Sequence, residues 1–161
     1  MSAARVLELL REDGRTLAVA ESLTGGLLAD AFVRVPGASA VLLGAVVAYA
    51  TPVKHTVLGV DAALLARAGA VDPEVAKQMA DGVRRAVAVD GRPADVGVAT
   101  TGVAGPDGQD GKVPGTVWVG VAVGDRFVAT GAVLPGDRAA VREGAVELAV
   151  QALLEALLGA E

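Results

Sequence analysis

Ser22 stands where an apolar run, Thr16 to Ala20, gives way to Glu21-Ser22-Leu23-Thr24-Gly25-Gly26. The run reads as a strand, and Leu27 to Val33 reads as a helix whose first turn lies near Thr24. A hydroxyl between a strand end and the glycines that open a helix is a candidate nucleophile. Gly25 and Gly26 leave backbone N–H groups uncovered at the positive end of the helix dipole, a place for a phosphate or a developing oxyanion. The plainer alternative makes Ser22 or Thr24 an N-cap and the glycines a means of close packing.

A nucleophile needs a base, and the chain has no cysteine and a single histidine, so the choice is narrow. Lys54 and His55 are the candidates. Lysine serves as a base only where its ammonium is disfavoured, by burial or by nearby cations such as Arg138 or Arg142. Imidazole titrates near neutrality without such help. Consecutive helical side chains diverge by about 100°, so only one of the two faces a given site, and periodicity does not choose between them. Tyr49 is placed to orient the pair or to donate a hydrogen bond, or simply to pack. Arg138 and Arg142 share one helix face, as a fork for phosphate or carboxylate or as partners of Asp137 and Glu143. Thr101 and Gly102 close a third apolar run, and the loop from Gly102 to Gly108 has backbone amides able to cover a ligand.

The elements that must position these groups follow from periodicity and punctuation. Ser2 to Asp13 is a helix with Val6, Leu7, Leu9 and Leu10 on its apolar side. Val41-Leu42-Leu43 is expected to be a short helical piece, and Gly44 to Ala50 a strand covered on both faces. Pro52 opens a helix carrying Val53, Lys54, His55 and Val57; Asp61 opens another through Ala68, and Asp72-Pro73-Glu74 a third to about Val89. Asp95 to Thr101 is a strand, and Gly105 to Gly115 a loop. Thr116–Val123 and Arg126–Leu134 form a hairpin, and Asp137 caps a last helix from about Arg138 to Leu158. Strands and helices alternate and end in a hairpin, which makes the fold class α/β, a sandwich with a mixed sheet. Ligands of such sheets bind beyond the carboxyl ends of the strands, where Ser22, Tyr49 with Lys54, and Thr101 converge.

Composition limits the rest. The 161 residues fit one domain over 1–161, and a hydrophobic fraction of 53% built on Ala, Val and Leu calls for small, closely layered side chains. Without cysteine there is no thiolate nucleophile or disulfide, and one histidine makes a zinc centre improbable, so neither metal nor cofactor is expected. A net charge of −5 without a basic run argues against a nucleic-acid surface. The longest weakly polar run, Ala38 to Ala50, is shorter than the roughly 20 residues a spanning helix needs, and no secretory signal is visible, so the expectation is a cytoplasmic protein with no membrane partner.

A family resemblance gathers these residues. Ala20 to Gly26, Tyr49 with Lys54, Gly69-Ala70-Val71, Thr101 to Gly108, Pro114 to Trp118, and Gly136 to Arg142 resemble the CinA carboxy-terminal domain family, in order from about residue 5 to 158. The resemblance implies a three-layer α/β/α fold in its stand-alone form. It also implies a serine amidohydrolase that converts nicotinamide mononucleotide (NMN) to nicotinic acid mononucleotide and ammonia in pyridine-nucleotide recycling. The family's Ser/Lys pair falls on Ser22 and Lys54, with Tyr49, Thr101, Arg138 and Arg142 around the substrate. Two departures stand out: Ala50-Thr51-Pro52 where the family often has Ser-Asn, and Asp72 where it often has serine. Two other expectations compete: a catalytically silent nucleotide-binding or interaction domain linked to competence and DNA damage, and a hydrolase that uses His55. A homo-oligomer is compatible with all three.

Overall fold

A computed structural model describes residues 2–159. Among them are α1 (Ser2–Glu12), β1 (Leu17–Glu21), α2 (Leu27–Val33), β2 (Leu42–Val47), α3 (Thr51–Thr56), α4 (Ala62–Ala68), α5 (Pro73–Ala86), β3 (Val96–Gly102), β4 (Thr116–Val123), β5 (Arg126–Val133) and α6 (Arg138–Leu158). The five strands form one mixed sheet in the order β2-β1-β3-β4-β5, with β1 parallel to both its neighbours and the rest antiparallel.

Strand alternation sorts the core into two layers. Leu17, Val19, Val96, Val98, Val117, Val119 and Val121 face α1, α2 and α6. Ala18, Ala20, Ala99 and Ala122 face α4 and α5. The second layer is thin because α5 lies directly on the sheet. A Cβ at Gly97 would come within 1.9 Å of the Ala80 carbonyl oxygen, and one at Gly120 within 2.0 Å of that of Ala76. The alanine-rich, glycine-rich composition is thus what lets a helix approach a sheet at backbone range.

Two expectations fail at β2. Val41-Leu42-Leu43 is not helical: the helical piece is a 3₁₀ turn at Ala38–Ala40, and Leu42 already pairs with Leu17. Nor is the strand covered on both faces, for it is the edge of the sheet, with every residue partly or largely exposed. It also stops at Val47, which frees Ala48-Tyr49-Ala50 to turn toward the site. Asp72 caps α5 by accepting from the Glu74 and Val75 amides, as its place before Pro73 implies.

The order β2-β1-β3 fixes where a ligand belongs. β1 has β2 on one side and β3 on the other, and the segments that follow β1 and β3 leave in opposite directions along the sheet, α2 toward β2 and the 103–115 loop toward β4, so the connections diverge between the carboxyl ends of β1 and β3. Such a divergence opens a crevice. Ser22 just beyond β1 and Thr101–Gly102 at the end of β3 stand at its two lips, and Lys54 reaches Ser22 from α3.

Candidate active site

Lys54 is fully buried, unusual for a lysine, and the local backbone explains how. Ala50 is extended and Pro52 sits in the first turn of α3, so the helix begins immediately beyond the strand end and throws Lys54 back across it. Its Nζ lies 2.9 Å from Ser22 Oγ, 2.8 Å from the Ala48 carbonyl oxygen and 3.4 Å from that of Tyr49. Among the described residues no carboxylate pairs with it; burial lowers its pKa from the usual 10.5 to about 8. Neither arginine contributes to that shift: desolvation alone produces it. The two carbonyls accept N–H from the amine and leave its third direction toward the serine. In the ammonium form that direction carries a donated proton; in the neutral form it carries the lone pair.

His55 points elsewhere. It is exposed, and its Nδ1 lies 2.8 Å from the Val60 carbonyl oxygen on the far side of α3. The helical divergence between neighbours therefore resolves in favour of Lys54 facing the serine.

The turn after Ser22 is built differently from the glycine-opened anion site that its sequence suggests. Helix α2 starts at Leu27, and its cap position, Gly26, provides no side chain. Its leading amides are occupied by Glu21, whose completely buried carboxylate accepts from Leu28 N–H at 2.8 Å and Ala29 N–H at 3.1 Å. An anion already sits at the positive end of the dipole, and it belongs to the protein. The Gly25 amide donates to the Ser22 carbonyl. Thr24 is buried, its hydroxyl 2.8 Å from that of Thr100. Glu21 is the residue beside the serine to which sequence reading gave no role of its own; its signal is an acid placed just before a helix that lacks a capping side chain.

Beyond the pair lies a cavity of about 420 Å³, large enough for a small nucleotide. Ser22, Leu23, Tyr49, Thr51, Lys54 and Arg138 form one side of it, and Ala70, Val71 and the stretch Thr101–Gln109 the other. The predicted residues divide accordingly. Ser22, Lys54, Tyr49, Thr101, Gly102 and Arg138 line the cavity, whereas Thr24, Gly25, Gly26 and Arg142 do not. Tyr49 is largely exposed, with its hydroxyl accepting from Arg138 at 3.1 Å; a second Arg138 nitrogen donates to the Gly105 carbonyl at 2.6 Å. The Thr101 hydroxyl donates to the Ala70 carbonyl at 2.7 Å and so fixes the cavity floor. Arg142 turns away: its guanidinium donates to the Leu23 and Thr24 carbonyls at 2.9 and 3.2 Å. The expected two-arginine fork is therefore a single cavity arginine and a second one bound to the nucleophile turn. Among the described residues no cluster of His, Asp and Glu is arranged to hold a metal.

A family model of the CinA C-terminal domain matches residues 1–157. The chain belongs to the CinA C-terminal domain family. It is 49% identical over 154 residues to a CinA-like protein of Frankia casuarinae, covering 96% of this chain and 34% of that protein. It is 45% identical over 142 residues to one of Gemmatimonas aurantiaca, covering 88% of this chain and 32% of that protein. The chain thus spans about a third of the length of these curated relatives. Solved structures of comparable length superpose closely. A competence-damaged protein (CinA) superfamily protein of Klebsiella pneumoniae gives a TM-score of 0.90 at 33% identity, covering 98% of this chain and 96% of that one. The competence/damage inducible protein CihA of Agrobacterium tumefaciens gives 0.84 at 30% identity over the same shares. No helix among the described residues is long and apolar enough to cross a membrane.

Proposed function

We propose that this CinA-family domain is a serine amidohydrolase that converts nicotinamide mononucleotide to nicotinic acid mononucleotide and ammonia. The observation that carries the proposal is the buried Lys54 amine 2.9 Å from Ser22 Oγ, both lining a nucleotide-sized cavity. With a pKa of about 8, roughly a tenth of Lys54 is neutral at pH 7, enough to act as a general base and close enough to neutrality to return the proton. Ser22 Oγ attacks the carboxamide carbon while its proton passes to Lys54 Nζ. The tetrahedral intermediate collapses as Lys54 protonates the departing ammonia, leaving a nicotinoyl ester on Ser22. Water, deprotonated by Lys54, then attacks the ester, and the proton returns to Ser22 as the acid leaves. The substrate phosphate belongs beside Arg138, the exposed arginine among the residues that line the cavity.

Ammonia release from NMN by the purified chain, with and without chelator and beside Ser22→Ala, tests the reading. Chelator-resistant release that Ser22→Ala abolishes, with nucleotide binding retained, is the expected result. Unchanged release in Ser22→Ala refutes the serine mechanism. Binding without release in a folded wild type replaces it with a silent nucleotide-binding domain.

A further inference from the structure

Arg142 is of the residue type best suited to a phosphate, yet its guanidinium is engaged with backbone 118 and 119 residues away. The planar fork takes the two successive carbonyls of Leu23 and Thr24, the peptide groups that directly follow Ser22. The same stretch is held from every other side. The Glu21 carbonyl accepts from the Ala48 amide, the Ser22 carbonyl from Gly25, and the Thr24 carbonyl also from Leu27. The Thr24 hydroxyl meets Thr100, and the Glu21 carboxylate anchors the start of α2. Gly25 belongs to this arrangement through close approach: a Cβ on it would lie 3.3 Å from an Arg142 nitrogen, and its φ is +57°. Two glycines that suggest a phosphate loop by sequence therefore include one that makes room for a guanidinium.

We infer that Arg142 is a positioning residue for the nucleophile: it holds the Leu23–Thr24 backbone so that Ser22 Oγ stays within reach of Lys54, and it does not bind the substrate phosphate. The inference rests on the Ser/Lys reading above and divides the labour of two arginines one helical turn apart. Arg138 acts on affinity and Arg142 on rate. Displacing a reacting group by about 1 Å costs on the order of 10²-fold in rate, which sets the expected effect.

The test uses two readouts on the full chain. One is the kcat and KM for ammonia release from NMN. The other is the rate at which a small alkyl phosphonofluoridate labels Ser22; the Ser22 O–P bond forms as the P–F bond breaks, fluoride leaves, and the serine proton goes to Lys54. Ser22→Ala serves as the unlabelled control. Arg142→Ala is expected to lower kcat and the labelling rate by about 10²-fold with KM within about threefold, and Arg142→Lys, which keeps the charge without the planar fork, to recover only part of the loss. Arg138→Ala is expected to raise KM about tenfold. A raised KM with unchanged kcat and labelling in Arg142→Ala overturns the inference. If Arg142→Ala does not fold, Arg142→Lys and Gly25→Ala decide: labelling at the wild-type rate in both overturns it, and slowed labelling supports it. A wild type that is labelled yet releases no ammonia removes the NMN reading alone, and the labelling rates still decide the role of Arg142.

Discussion

The turn Glu21–Leu27 and the wall Gly102–Gly115 face each other across one cavity and are held in opposite ways. The turn is locked from within: a buried carboxylate, a buried hydroxyl pair and a guanidinium all bear on it. The wall is pinned at its base, where the Val103 amide donates to the Thr116 carbonyl at the start of β4 and the Gly115 amide to the Val103 carbonyl, and it then runs exposed through Pro106 to Pro114, closed by a small Gln109–Lys112 bridge. Chemistry demands fixed distances, and recognition tolerates adjustment. Changes to the turn and its base should therefore alter the rate, and changes to the wall should alter affinity.

The largest expected effect belongs to the base. Lys54→Met keeps the volume of the buried chain and removes the amine, and it is expected to lower kcat by about 10²–10⁴-fold. His55→Gln, on the outer side of α3, is expected to stay within about twofold. Steady-state ammonia release checks both, and the reverse order of effects would make His55 the base.

The same lysine gives a stability effect whose sign follows from its shift. Its folded pKa, about 8, lies below the unfolded value of 10.5, so between those values the unfolded chain binds more protons. Stability from this group therefore rises with pH across that window, and the cost of burying the ammonium is fully present below it. The cost is on the order of 3 kcal/mol. Urea unfolding should show Lys54→Met most favoured relative to wild type near pH 7, with the difference shrinking by about that amount toward pH 10.5. A pH-independent difference would mean that the ammonium is not penalised in the fold.

How much of this was legible depended on whether the cause was local. The β4–β5 hairpin and α6 follow from a Gly124-Asp125 turn and the Asp137 cap, and the structure places them at the expected residues. The strand-to-glycine corner marked Ser22, and the rarity of alternative bases narrowed the choice to Lys54 or His55, between which only the family resemblance chose. What escaped was decided by distance in space. The edge position of β2 depends on strand order, which an Ala/Val/Gly run does not encode. The hold of Arg142 on Leu23 and Thr24 crosses more than a hundred residues, and its i, i+4 relation to Arg138 suggested a shared phosphate instead. Glu21 looked like ordinary polarity at a strand end because its partners, Leu28 and Ala29, sit beyond an intervening turn.

Glu21 supplies the next effect in size. Glu21→Gln keeps the shape but turns an amide N–H₂ toward one of two buried N–H donors that the carboxylate satisfied. The expected loss is about 2 kcal/mol, a fall in Tm of roughly 4–8 °C, accompanied by a drop in kcat with little change in KM. Calorimetry with parallel kinetics checks it. An unchanged Tm would show that the helix start does not need the charge, and the locked turn would lose its inner anchor.

The smallest effect comes from the wall. Asp110, at the tip of the loop, packs against Gly69, where an added Cβ would lie 2.7 Å from a carboxylate oxygen. Gly69 also has φ +75°, beyond what a side chain readily adopts, so Gly69→Ala both strains the end of α4 and pushes the tip outward. The tip is exposed and yields at little cost, so the displacement should reach the cavity as a few-fold rise in KM for NMN with kcat held within about twofold. Neither Ser22 nor Lys54 hydrogen-bonds to the loop tip, so the pair should be untouched by that movement. Should kcat fall instead while KM stays put, the wall must take part in positioning the reacting carboxamide, and rate and affinity would no longer separate across the cavity.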